Sequence, residues 1–427
     1  MVFDAGGRET FCPRSSCERR RAGPGRAWRG LGLGMAASLA LATASLAAPA
    51  PAADTPPGIA AATDADTART IDYLWVLRTS LIHAEDIPRI VERARAMHVR
   101  GLLVQVVGRG DAWYRSDLLP PPEPLRGDGR DPLGELLPLA HAAGLEVHAW
   151  VNCCLVWSGP HRPRDPRHVI NAHPEWVARM ADGRPMTRLT PRQRGRLHVE
   201  GVFLSPAHPG VRHWLAGIVQ ELVRRYPVDG VQLDYIRQPG IPIGYDPTSR
   251  ARFALESGVD PLRFNRRPWS ERTRLESQWA SFQEDQVTAI VREVRDSLNA
   301  TRPGLPLSAA VLADTTVAWT RNRQAWSLWV REGLLDRAFL MCYAPMLETV
   351  LTQLNEVSAQ IGVDRLVPGI AMYNAPLATA ATKIKAARAL GFPTIALYSY
   401  DSLYERPGLW ERLRAFLTAH DPSEVHP

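Results

Sequence analysis

Lysine is nearly missing from this chain: Lys383 and Lys385 are the only two. The formal charge of +7 and the isoelectric point near 9.4 therefore rest on arginine. Abundant Arg, Ala, Gly and Pro fit a GC-rich coding bias as well as a phosphate-binding surface, and no nucleic-acid reading motif accompanies the charge. Nucleic acid is accordingly not an expected partner. Cysteine is also sparse. Of five, Cys12 and Cys17 lie close to the start of the sequence, and the odd remainder of Cys153, Cys154 and Cys342 excludes a disulfide framework. No second Cys or His cluster has zinc spacing, so neither a metal nor a cofactor is expected. A glycine-rich phosphate turn is lacking too. Thr79-Ser80-Leu81-Ile82-His83 follows the first strand, and Gly108-Arg109-Gly110 after the second is too short, which argues against a dinucleotide-binding sheet.

Long apolar runs are scarce. The one from Leu31 to Ala48 is interrupted by Thr43 and Ser45, weaker than the ~20 apolar residues a spanning helix needs. Arginines from Arg19 to Arg29 precede it and Ala50-Pro51-Ala52 follows, the layout of a secretory signal peptide over residues 1–52. The reading is then a linker over 53–67, one domain over 68–420 and a tail over 421–427. It implies a secreted or periplasmic protein with no stable membrane insertion once the signal is cleaved.

With 45% hydrophobic residues the remainder can pack a large core. Eight apolar segments read as strands: 73–80, 101–107, 145–152, 228–237, 305–312, 338–343, 366–373 and 394–402. Helical spacing separates them, as in Ile87, Ile90, Val91 and Ala94, or Val211, Leu215, Ile218 and Leu222. Glycines stand at the expected helix ends, Gly101, Gly144, Gly362 and Gly391 among them. Strands alternating with helices eight times predict an α/β fold, a (β/α)8 TIM barrel. Two connections, 153–205 and 238–272, far exceed the usual ~2–6 residues. Both leave carboxyl ends of strands, where barrels bind ligands, and they carry Trp157, Trp176 and Trp269.

Val231-Gln232-Leu233-Asp234 reads as a buried strand ending in an acid. An isolated buried carboxylate is costly, so Asp234 is the first candidate for catalysis. Glycosidic cleavage needs two carboxyl groups, one to protonate the leaving oxygen and one to attack or to activate water. Asp314, Asp401 and Glu348, each near a strand end, are candidate partners, although Asp314-Thr315-Thr316 also reads as a helix cap. Alternation on the third strand puts His148, Trp150 and Asn152 on one face. With Asp111, Tyr114, Arg237, Tyr343 and Tyr373, these are candidate sugar-binding residues. Arg109, Arg162 and Arg237 would favour anionic sugars.

The segments 105–114, His148-Ala149-Trp150-Val151-Asn152, Ser205-Pro206-Ala207-His208-Pro209-Gly210-Val211-Arg212 and 229–237 resemble the glycosyl-hydrolase-10-like family of bacterial exported proteins. Ser308-Ala309-Ala310-Val311 and Tyr398-Ser399-Tyr400-Asp401 are similar to its later strands. The resemblance implies a glycoside-hydrolase barrel. It carries the family's fourth-strand acid to Asp234, its third-strand Asn to Asn152 and its sixth-strand Tyr to Tyr343. Two departures stand out: a single Asp234 followed by Tyr235 where many members pair two acids, and Leu340-Met341-Cys342-Tyr343 where Pro-Met-Ala-Tyr is common. The expectation is an exported hydrolase of O-glycosidic bonds in a bacterial polysaccharide, cell-wall glycan or anionic polymer. The alternatives are a non-catalytic glycan-binding barrel and a metal-dependent deacetylase, the latter supported only by His148.

Overall fold

Runs such as Leu102-Leu103-Val104 and Val231-Gln232-Leu233, buried on both faces, form parallel strands because helices cover their outer side. The computed structural model describes residues 71–418 and, ahead of them, only the backbone pairing of Val2–Phe3 with Glu9–Thr10. That pairing apart, the expected signal segment and linker, and the tail, lie outside the described residues. The strands are β1 Tyr73–Val76, β2 Gly101–Val107, β3 Glu146–Asn152, β4 Gly230–Asp234, β5 Leu307–Leu312, β6 Arg337–Cys342, β7 Leu366–Ala371 and β8 Ala396–Tyr398. Each pairs with the next in sequence, and β8 returns to β1, closing the barrel. Outer helices follow the strands: α1 Asp86–Ala96, α2 Pro132–Ala142, α3 Pro209–Arg225, α4 Trp269–Thr301, α5 Trp326–Arg331, α6 Leu347–Ile361, α7 Leu377–Ala389 and α8 Leu409–Thr418. The structure is the expected (β/α)8 barrel. No helix among the described residues is long and apolar enough to cross a membrane.

All eight expected strands are present, but three end three or four residues sooner than the apolar runs suggest. β1 stops at Val76 and passes into a 3-10 turn, Arg78–Leu81. β4 stops at Asp234 because Tyr235 takes φ 49°, an uncommon conformation for an aromatic residue, and turns the chain away. β8 stops at Tyr398, and Ser399 caps a short helix, Tyr400–Tyr404.

Inside the barrel sits a cluster of rings rather than the branched aliphatics common in this fold: Tyr73, Trp75, Trp150, Phe339 and Tyr398 with Leu103 and Val367. Edge-to-face contacts link Trp75 to Phe339 at 5.7 Å and to Tyr398 at 6.0 Å. Space is made for them by small residues. A Cβ at Gly369 would lie 2.7 Å from the Trp75 ring.

The two long connections are structured. After β3 the strand Leu155–Trp157 pairs antiparallel with Val202–Phe203, so the chain between them returns to its start as a ribbon. After β4, helix Pro247–Ser257 and turn Pro261–Arg266 pack on the first half of α4. Phe253, Phe264, Leu275, Trp279 and Phe282 form a satellite core there. Two of the loop tryptophans brace their own connection, Trp176 stacking on His173 at 3.8 Å and the Trp157 indole donating to the His161 carbonyl, whereas Trp269 is 80% exposed.

Candidate active site

Strand pairing sets Asn152 of β3 directly beside Asp234 of β4 at the carboxyl end of the barrel. Both side chains point inward, since Trp150 and Gln232, two residues before them, also face the interior. There the Gln232 side-chain oxygen accepts from the Trp75 indole at 2.6 Å. One layer higher, the Trp150 indole donates to Asp234 Oδ2 at 3.1 Å, and the Tyr235 amide, turned back by its left-handed backbone, donates to Oδ1 at 2.6 Å. Only 7% of Asp234 is exposed, and that part lines a cavity at the barrel mouth.

Every strand or strand exit except that of β7 contributes to the cavity. Leu77 and Arg78 come from the end of β1, Gln105 and Arg109 from β2, Trp150 and Asn152 from β3, Tyr235 and Arg237 from beyond β4, Met341 and Tyr343 from β6, and Tyr398 from β8. A polar chain organises one wall: Arg78 donates to Gln105 Oε1 at 2.7 Å, Gln105 to Asn152 Oδ1 at 3.3 Å, and Asn152 to the Gly108 carbonyl at 2.9 Å. Glycine at 108 leaves room for this chain, since a Cβ there would stand 2.4 Å from the Arg78 side chain and displace it.

The second carboxylate in the cavity is Glu200, carried just ahead of the ribbon strand Val202–Phe203. It accepts from Arg237 Nη2 at 2.7 Å. Arg237 is itself buried, with the Tyr235 and Phe203 rings 4.8 and 6.0 Å from its guanidinium carbon. Burial pushes the Asp234 carboxyl up to about 6, against the Tyr235 amide, Arg237 and the Trp150 indole, and the negative charge of Glu200 adds to the rise. For Glu200 burial acts in the same upward sense, but the charge and hydrogen bond of Arg237 prevail and hold it below its ordinary value. Burial also pushes the Tyr343 phenol well above its ordinary range.

Of the expected site residues, Asp234, Trp150, Asn152, Arg237 and Tyr343 meet in this cavity. Tyr373 borders it through ring contacts with Tyr343 at 6.2 Å and Tyr398 at 6.0 Å. The others are placed elsewhere. Asp314 caps the helix Thr315–Thr320 by accepting from Val317 N at 2.8 Å, and Glu348 is exposed in the first turn of α6. Asp401 accepts from the Leu77 amide at 3.1 Å and from the Ser80 hydroxyl, which spends its oxygens on holding the β1 exit turn. Burial pushes it up to about 6, opposed by those same donors. Asp111 accepts from the Arg109 amide at 3.0 Å within its own loop. Tyr114 is buried on the outer side, reaching Glu221 at 3.4 Å and packing on Tyr226. His148 sits at the foot of the barrel, against Tyr73 and Glu146, two inward layers below Asn152.

Sequence reasoning missed Glu200, Arg78, Gln105 and Tyr398. Gln105 and Tyr398 were open to the same alternation argument that found Trp150. Glu200 gave only a weak sign, an acid just before the short apolar stretch Val202-Phe203-Leu204. The three cysteines 153, 154 and 342 are unpaired and buried. Among the described residues no group of three or more His, Cys, Asp or Glu is gathered as metal ligands.

A closed parallel barrel whose carboxyl mouth gathers two carboxylates, three arginines and several rings defines a glycoside-hydrolase-like barrel. The chain belongs to the glycosyl hydrolase-like 10 family, whose pattern matches residues 70–383. Among curated relatives it is 24% identical over 291 residues to the glycosyl hydrolase DigH of Escherichia coli (strain K12), spanning 60% of this chain and 57% of that one. It is 22% identical over 229 residues to the glycosyl hydrolase YngK of Bacillus subtilis (strain 168), spanning 50% and 37% respectively. The chain thus matches about half the length of these relatives or less. Among solved structures, the PgaB (BpsB) glycoside hydrolase domain from Bordetella bronchiseptica superposes with a TM-score of 0.59 at 19% identity, over 82% of this chain and 99% of that one. At that identity the likeness is one of fold.

Proposed function

We propose that this protein is an exported glycoside hydrolase, secreted or periplasmic, that cleaves O-glycosidic bonds in a bacterial polysaccharide, either cell-wall glycan or an anionic polymer. The observation that carries this reading is that Asp234 and Glu200 share one cavity while their surroundings drive their proton affinities apart. Such divergence assigns acid and base. Asp234, protonated at mildly acid pH, donates its proton to the leaving glycosidic oxygen. Glu200, ionised beside Arg237, either takes a proton from the attacking water or attacks the anomeric carbon. Asn152 and Tyr343 offer hydrogen bonds to sugar hydroxyls, and the rings of Tyr235 and Tyr398 offer faces to the sugar. The names of the relatives, glycosyl hydrolases, support the same class.

The test is release of reducing ends from purified polysaccharides, bacterial cell-wall glycan included, by the parent, Asp234→Asn and Glu200→Gln proteins. Each substitution is expected to lower turnover by about 10²–10⁴-fold while circular dichroism stays that of the parent. Turnover that persists in folded Asp234→Asn protein would overturn the assignment.

A further inference from the structure

We infer that a second cavity, opening where the β4 and β5 exits meet, binds an acidic sugar unit of the polymer through Arg321 and Arg323. This rests on the hydrolase reading and extends it to the substrate's charge. Gln238, which follows Arg237 directly, lines the new cavity while Arg237 lines the first, so the two are neighbours across one stretch of backbone. The dividing segment is pinned on both sides. The Gln238 amide donates to the Asn322 carbonyl at 2.9 Å, and the Asn322 side chain donates back to the Gln238 carbonyl at 2.8 Å. Further along, Gln283 donates to the Ile243 carbonyl at 2.7 Å.

Three guanidinium groups, of Arg272, Arg321 and Arg323, face this space with the single carboxylate of Glu276. Glu276 is engaged by Arg272 at 2.8 Å. Among the described residues Arg321 and Arg323 make no side-chain hydrogen bond and no ion pair, although Arg323 is half-buried. Glu284, the acid whose charge reaches Arg323, accepts from the Trp319 indole and forms no ion pair with it. A desolvated guanidinium without a counter-ion is costly, and an incoming anion would relieve that cost. Burial accordingly draws the Arg323 pKa down. Rings share the lining: Tyr245 meets Trp279 at a tilt, centroids 5.6 Å apart, and Phe264 also lines the cavity. Planar cation forks and rings lining one cavity suit a saccharide bearing a carboxylate or a sulfate.

Binding is measured on the full-length Asp234→Asn protein, so that affinity is read without turnover. The probes are polygalacturonate for carboxylate, dextran sulfate for sulfate ester, and neutral dextran. Tighter binding of at least one anionic polymer than of dextran is expected, and the polymer preferred identifies the anion. Replacing Arg321→Gln and Arg323→Gln together should weaken that binding by about 10-fold or more and leave dextran unaffected. Arg321→Gln alone, at an exposed site, should weaken it in the same sense without risk to folding. Arg412→Gln on α8, with the same single charge lost, should bind as the parent does. The inference is overturned if neither anionic polymer binds more tightly than dextran, if Arg321→Gln and the double variant keep parental affinity, or if Arg412→Gln loses as much. A hydrolase that fails this binding test keeps its function and loses only the subsite. Arginine-dependent binding without any turnover would do the opposite, keeping the subsite and removing the hydrolase reading.

Discussion

Asp234 holds its proton to about pH 6 in the folded protein, whereas in an unfolded chain it would ionise near 3.9. Between those values the native state binds a proton that the unfolded state has released, so this group's contribution to stability is whole below about pH 4 and is lost as pH rises through 6. Asp401 shifts in the same direction. Glu200 has the opposite sign, its lowered pKa supporting the fold above the ordinary carboxylate range and failing as pH falls through its folded value. We therefore expect Asp234→Asn to be more stable than the parent at pH 8 by about 1–3 kcal/mol, with the gap closing by about pH 4. Urea unfolding at the two pH values measures it, and an equal gap at both would show that folding does not raise the Asp234 pKa. Turnover should fall as pH rises past about 6, where the general acid is lost, and that limb should be absent from the residual rate of Asp234→Asn.

The ribbon of Leu155–Trp157 and Val202–Phe203 is the element that delivers Glu200. Gly201 lies between the acid and its strand, where an added Cβ would stand 2.1 Å from the Trp157 carbonyl oxygen. Gly201→Val should therefore push the ribbon strands apart and displace Glu200. A loss of about 10–100-fold in kcat/KM is expected with only a modest drop in Tm, because the ribbon lies outside the barrel. Unchanged kcat/KM in the folded variant would mean that the ribbon does not position the acid. Elements were also where sequence reading was strongest. All eight strands were legible because a strand covered on both faces is a short apolar run between helices, whatever its partners. Their ends were less so: β8 gave way to a helix at Tyr400 because the Ser399 hydroxyl accepts from Ser402 N, a local cap that apolar content does not register. For Asp314 the local cap was legible beside the catalytic reading, and the cap is what forms, its carboxylate occupied by the amide three residues on.

At the scale of the molecule, closure joins β8 to β1 through few backbone pairs, and Asp72 secures the seam. Its Oδ2 accepts from the Ile395 amide at 2.8 Å and from Arg388 at 2.8 Å, and Asp72 is 4% exposed. Asp72→Ala removes the carboxylate that both donors share and leaves the buried Ile395 amide unsatisfied, and a loss of about 1–3 kcal/mol is expected, read as a lower urea midpoint. A cost below about 0.5 kcal/mol would show that the seam is held by packing alone.

Order and type of elements followed from chain-local properties: the alternation of apolar residues, the helix caps, and the acid that ends β4. The same locality made Asp234, Trp150 and Asn152 readable together, since neighbours on a strand face must share an interior. Glu200 was different. Its place beside Arg237 depends on Val202 and Phe203 pairing with residues more than forty positions earlier, and its charge state on how much water that pairing removes. The sequence alone determined the barrel and one carboxylate at its mouth. Only the tertiary structure decided which second carboxylate joins it and which of the two keeps its proton, because distance and desolvation belong to the closed chain and to no segment of it.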